Sequence, residues 1–203
     1  MLSIAVLVSG GGTNLQALLD AQARGEIKSG RITLVVSNKP AAYALERARL
    51  AGVEGVVLEK AKGEAPEGYG DRLAALLKGR GIVLVVLAGF LPILAGGMFE
   101  AYRDRILNIH PSLIPSFCGM GFYGLHVHEA ALAKGVKVTG ATVHLVNEVP
   151  DGGRILAQKA VEVLEGDTAE VLQRRVMEQA EWVLLPRVTE HAAACLSRGE
   201  EIH

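Results

Sequence analysis

Asn108 and His110 stand two residues apart in the run RILNIH (105–110), immediately before the first of two prolines, Pro111 and Pro115. On an extended chain, residues two apart point to the same face, so an amide and an imidazole are presented side by side. Asp151 lies farther along in the turn PDGG (150–153), where aspartate is common for purely local reasons. Taken singly, a strand-end Asn satisfies a turn and a lone His is a hydrogen-bonded bystander. Together they suggest chemistry. His110 has no evident sequence-local partner, and a carboxylate on a glycine-flexed loop can reach it. Such a pair raises an imidazole above its reference near 6.5 and makes a protonated donor available at neutral pH. With Asn108 as a neutral donor, the trio would stabilise a developing oxyanion and pass a proton.

No GxSxG nucleophile elbow is present, and Ser112 follows proline in a different context. The substrate can therefore bring its own nucleophile. Cys118, in SFCGMGFYG, reads as a small loop residue despite His126 and His128 downstream. His144, in TVHLV, is either a satisfied sheet histidine or a support for the site.

A second feature is the loop SGGGTNLQA (9–17) between an apolar run and a helical pattern. Its glycines free the backbone, and the amides of the next turn sit at the positive end of a helix dipole, which suits a phosphate. The third glycine of the dinucleotide fingerprint is replaced by Leu15, and no GK[ST] follows. The loop reads either as a plain tight turn or as a phosphomonoester site without a nicotinamide. Thr13 and Asn14 would add side-chain donors or cap the helix. AGFLPIL (88–94) follows the most hydrophobic strand and would line a pocket for a flat organic ligand, or roof the core through Phe90, Leu91 and Leu94.

These positions need a scaffold. Apolar runs at 4–9, 31–38, 53–58, 81–89 and 105–110 alternate with helical patterns at 13–24, 41–51, 69–78 and about 94–101. Such a series predicts a doubly wound, mostly parallel twisted α/β sheet of Rossmann-like type. Residues 60–70 read as a flexible loop. Alternation at 136–146 and 154–163 predicts an antiparallel edge ribbon, and a C-terminal helix is expected from about 168 to 185. One domain over 1–203 is expected, with a phosphate-binding half (1–100) and a second half (101–203).

Composition narrows the class. Half of the 203 residues are hydrophobic, 21% are charged, and 21 basic face 22 acidic side chains for a net charge of −1. Neither disorder nor a nucleic-acid footprint is expected. Two distant cysteines, Cys118 and Cys195, argue against a disulfide framework and structural zinc. The N-terminus lacks signal-peptide features, and the apolar run 82–99 is broken by Pro92 and glycines, so a cytoplasmic protein without a membrane span is expected.

The stretches VLVSGGGTNLQAL, LAGFLPIL, LNIHPSLIPSF and GATVHLVNEVPDGG resemble, in this order, the phosphoribosylglycinamide formyltransferase family, over residues 4 to about 186. NIHPSL is shared with other formyl-transferring and formyl-hydrolysing folate enzymes, whereas the glycine loop narrows the substrate to a phosphoribosyl amine. The resemblance implies that Gly12, Thr13 and Asn14 hold the phosphate of glycinamide ribonucleotide and that Glu181 contacts its ribose. It implies that Phe90, Leu91, Pro92, Ile93 and Leu94, with Asn108 and Asn147, Glu148, Val149, Pro150 and Asp151, enclose the folate of 10-formyltetrahydrofolate. Asn108, His110 and Asp151 match the catalytic trio, with small-molecule substrates, no metal, and a monomer or homodimer. The chain departs from the pattern at Pro92, where many relatives carry arginine, in a longer loop after Pro115, and in a 60–70 segment lacking an arginine that some members direct to the folate. Glu178 has no assigned role. A 10-formyltetrahydrofolate hydrolase would be expected to add an N-terminal regulatory domain, and a methionyl-tRNA formyltransferase a nucleic-acid-binding domain with a basic surface. A non-catalytic nucleotide-binding module would leave the Asn108, His110 and Asp151 convergence unexplained.

Overall fold

The computed structural model describes residues 1–203. Strands β1 (Leu2–Val8), β2 (Gly30–Ser37), β3 (Glu54–Val57), β4 (Ile82–Leu87) and β5 (Ile106–His110) run parallel. Strands β6 (Val138–Leu145) and β7 (Ile155–Glu162) extend the sheet antiparallel beside β5. The order across the sheet is β3-β2-β1-β4-β5-β6-β7, which is the doubly wound sheet with an antiparallel edge ribbon that the apolar runs predict. Its direction of winding reverses between β1 and β4, and ligands bind beyond the carboxyl ends of strands at such a point.

The continuous apolar strands follow from burial on both faces. In β1, Ile4, Val6 and Val8 enter the larger core, while Ala5 and Leu7 enter the smaller one. In β4, Leu84 and Val86 divide from Val85 and Leu87 in the same way. Each fully buried aliphatic side chain contributes about 1.5–3 kcal/mol. Helices α1 (Thr13–Ala23) and α2 (Tyr43–Leu50) cover the larger core, and α3 (Pro66–Gly79) and α4 (Gly97–Ala101) the smaller. In β5, Leu107 and Ile109 face the larger core and Ile106 the smaller. Asn108 and His110 therefore share the smaller-core face, at its edge.

Three details differ from the sequence expectation. A helix α5 (Leu125–Lys134) occupies a stretch for which none is predicted; its buried face is Val127, His128 and Ala131, so a histidine interrupts the apolar stripe. The C-terminal helix does not end near Leu185. It comprises α6 (Ala169–Val176), a π-helical turn (Met177–Glu181) and α7 (Trp182–Ser197), and it continues through Pro186. Burial of Leu184, Leu185, Val188, Ala192 and Ala193 holds α7 together despite the bond that proline cannot donate. Finally, the glycine-rich 60–70 segment is pinned rather than loose. Glu64 accepts hydrogen bonds from the Ala61 amide and the Arg72 guanidinium, and Pro66 opens α3 at a position that tolerates proline.

Candidate active site

Antiparallel register places His144 of β6 directly opposite Asn108 of β5. The Asn108 amide nitrogen lies 3.0 Å from His144 Nε2 and 3.5 Å from Asp151 Oδ1. His144 Nδ1 lies 2.8 Å from the Leu145 carbonyl oxygen, and its Nε2 faces both the Asn108 amide and Asp151 Oδ1. His144 is thus built into the cluster, which answers the question its alternating sequence left open. The signal that finds it is register, not local pattern.

Asp151 reaches the cluster from the β6–β7 connection with a left-handed backbone, φ 54°. Gly153 is required beside it: a Cβ there would lie 1.7 Å from the Leu145 carbonyl oxygen. The Asp151 carboxylate accepts the Gly119 amide at 2.8 Å and lies 3.6 Å from His110 Nδ1 and 3.5 Å from His144 Nε2. Burial pushes this carboxyl up, but the hydrogen bonds from His144 and Gly119 and the two nearby imidazoles outweigh it and hold Asp151 below its ordinary value.

His110 is 4% exposed, and its Nε2 donates to the Phe117 carbonyl at 2.8 Å, a partner seven residues on in the chain. Here the sequence expectation is corrected. Burial lowers the His110 pKa below 6.5, and the attraction of Asp151 and of the Phe117 carbonyl does not compensate; His144 lowers it further. The resting ring is neutral at neutral pH, with Nδ1 free of its proton. The turn after His110 is braced by Thr142, which accepts the Ile114 amide and donates to the Ser112 carbonyl.

A cavity of about 370 Å³ opens over these groups. Phe90, Leu91, Pro92, Ile93 and Leu94 line one side and Asn147, Glu148, Val149, Pro150 and Asp151 the other, with Asn108 and His110 also in its lining. The 88–94 loop both lines the cavity and roofs the core in part. Phe90 and Leu94 pack on the smaller core, Phe90 stacked 6.5 Å from Tyr69, whereas Leu91 and Ile93 remain more than half exposed.

The glycine loop lies at the end of β1. Gly12 precedes α1 with φ 73°, and a Cβ there would meet Ala44 Cβ at 2.7 Å, so only glycine fits this approach of α1 to α2. Neither Thr13 nor Asn14 caps the helix; its first amides remain available to an anion. The Asn14 amide instead donates to Glu181 Oε2 at 2.6 Å, leaving its own Oδ1 buried without a partner. Glu181 comes from the π-helical turn, is 6% exposed, and is pushed up to about 7 by burial, against the opposing hydrogen bond from Asn14. Arg47, with no local motif to announce it, braces the loop from α2 by donating to the Gly11 carbonyl at 2.8 Å and to Gln16. A Ser9 hydroxyl bond to Asn38 at 2.6 Å was equally unreadable from spacing.

No group of three or more His, Cys, Asp or Glu side chains is arranged to hold a metal ion. No helix is long and apolar enough to cross a membrane.

The formyl transferase family model matches residues 2–189. The chain is 42% identical over 177 residues to the chloroplastic phosphoribosylglycinamide formyltransferase of Arabidopsis thaliana, covering 87% of this chain and 60% of that protein, less than two thirds of its length. It is 40% identical over 178 residues to the phosphoribosylglycinamide formyltransferase of Escherichia coli strain K12, with 88% and 81% covered. The crystal structure of glycinamide ribonucleotide transformylase 1 from Symbiobacterium toebii superposes with a TM-score of 0.88 at 44% identity, covering 98% of this chain and 89% of that one.

Proposed function

Because the chain belongs to the formyl transferase family, we propose that it transfers a formyl group from 10-formyltetrahydrofolate to the amine of 5-phosphoribosylglycinamide in purine biosynthesis. The observation that carries this reading is the meeting of Asn108, His110 and Asp151 at a cavity lined by the 89–94 and 147–151 segments. The apolar walls suit a pterin. The free amides of Thr13 and Asn14 suit the phosphate, and Glu181 suits ribose hydroxyls.

In this mechanism the substrate amine attacks the formyl carbon directly. The Asn108 amide donates to the oxygen on which negative charge develops. His110 begins neutral and takes up a proton from the attacking nitrogen; its charge is then stabilised by Asp151 and by the adjacent oxyanion. The tetrahedral intermediate collapses as the bond from carbon to folate N10 breaks and N10 receives a proton. Atoms balance: one N–C bond forms, one breaks, and one proton crosses from amine to N10. Holding two substrates in register supplies much of the remaining rate. A cytoplasmic enzyme, monomeric or homodimeric, accompanies this reading, and the balanced charge without a basic block fits small-molecule substrates better than nucleic acid.

The test is to follow loss of 10-formyltetrahydrofolate with and without the ribonucleotide. Transfer requires the ribonucleotide for consumption. Equal rates in both would favour a hydrolase and overturn the assignment.

A further inference from the structure

We infer that Ser9 is a positioning residue whose buried hydroxyl joins the glycine loop to the apolar 89–94 loop and couples binding of the two substrates. This rests on the formyl-transfer reading for the identity of the two ligands, though not for the tether itself.

Ser9 follows β1 at the point where the winding of the sheet reverses, and it is 4% exposed. Its Oγ donates to Asn38 Oδ1 at 2.6 Å and accepts the Leu91 amide at 2.9 Å. Its own amide donates to the Gly89 carbonyl at 3.1 Å. One residue thus ties together the chain leaving β2, β1 and β4. The segment 90–95 depends on it: the bond from Leu91 to Ser9 Oγ is the only hydrogen bond that any backbone group of residues 90–95 makes within the chain. Phe90 anchors this segment from behind by packing, but Leu91 and Ile93, which line the cavity, are exposed.

The other side of Ser9 is the phosphate side. Gly10 follows at once, and its carbonyl accepts the Ala44 amide of α2 at 3.2 Å. α2 in turn carries Arg47, which holds Gly11. A ligand that orders residues 90–94 therefore fixes Ser9, and with it the start of the glycine loop. By linkage, a phosphate seated in the glycine loop must favour the folate to the same degree. Because the hydroxyl donates in one direction and accepts in the other, alanine breaks both connections and leaves Leu91 N–H and Asn38 Oδ1 unpaired, whereas threonine keeps the oxygen.

The experiment uses the full chain with Ser9→Ala and Ser9→Thr. Amide exchange is measured without ligand, and phosphoribosylglycinamide is titrated calorimetrically with and without saturating tetrahydrofolate, a pair that cannot react. In Ser9→Ala, the Leu91 amide should exchange about tenfold faster while β1 and β4 keep their protection. Wild type should bind the ribonucleotide more tightly when tetrahydrofolate is present, and this gain should disappear in Ser9→Ala and return in Ser9→Thr. In turnover, Ser9→Ala should raise KM for the formyl donor about tenfold and leave kcat within about twofold. Unchanged exchange at the Leu91 amide, no coupling in wild type, or full coupling in Ser9→Ala would each overturn the inference. A wild type that bound neither ligand would overturn the formyl-transfer reading and the coupling together, while the exchange result would decide the tether independently.

Discussion

The carboxyl ends of β1 and β5 solve different problems with different materials. Beyond β1, the groups facing the loop are largely backbone, glycines and free helix amides, with the pair of Asn14 and Glu181 at the margin. Beyond β5, the groups are side chains that brace one another, with Asn108, His110, His144 and Asp151 all within hydrogen-bonding or ion-pairing reach of a neighbour. In the proposed reaction the substrate phosphate carries its full charge before and after, so fixed amides would serve it throughout. An oxyanion exists only in passing, and the groups that meet it must change protonation. Under the proposed formyl transfer, the β1 end serves binding and the β5 end serves charge that appears and vanishes.

That division can be broken most forcefully at His110. His110→Ala should lower kcat about 10³-fold, about 4 kcal/mol, with ribonucleotide affinity nearly unchanged; steady-state kinetics and calorimetry together check it. A comparable loss of ribonucleotide binding would show that the two ends are not separable.

The next effect concerns stability and runs in opposite senses at the two ends. Glu181 titrates in the fold at about 7 against an ordinary 4.5, so it binds its proton more tightly when folded. Its contribution is fully present at low pH and is lost as pH rises from about 4.5 to about 7. His128, buried with both ring nitrogens unpartnered, is pulled down to about 4 by burial and by the charge of His110. It excludes its proton when folded, so its contribution is present above 6.5 and is lost as pH falls toward 4. Each is worth about 2–3 kcal/mol across its window, and in wild type they oppose each other. Urea unfolding from pH 4.5 to 7 should therefore be nearly flat for these two groups. Glu181→Gln should unmask a loss on acidification, and His128→Leu a loss on raising pH. If both variants kept the wild-type profile, neither group would be titrating as its burial dictates.

The smallest effects sharpen the contrast. Asn14→Ala should raise ribonucleotide KM about tenfold and spare kcat, whereas His144→Ala should lower kcat about tenfold and spare that KM, because each leaves one partner unpaired at its own end. Interchanged outcomes, read from kcat and KM for each substrate, would dissolve the distinction.

Sequence and structure agree best where the physics is local. The uninterrupted apolar runs at β1 and β4 announce strands buried on both faces, and glycine at position 12 announces a backbone that a side chain would obstruct. The polar trio was legible as residue types, and its convergence follows once the sheet is folded. The protonation state of His110 was not, because sequence shows that a carboxylate partner is possible but not how completely the ring is removed from water. His144 required the β5–β6 register. α5 was hidden by His128 standing on its buried face, and the partner of Asn14 lay beyond any local pattern, on a turn at the far end of the chain.

The π-helical turn at Met177–Glu181 has a consequence for how the C-terminal segment is phased. Each residue in an ordinary helix advances about 100° around the axis, so a widened turn shifts the azimuth of all that follows. α6 can thereby lie along α5 while α7 lies along α1, each with its apolar stripe inward. Winding the same five residues as a regular α-helix would rotate the second half out of phase, turning Leu184 and Leu185 away from the sheet. The widened turn is thus a phase shifter: it lets one continuous rod serve two neighbours, and at the point of adjustment it points a carboxylate at Asn14.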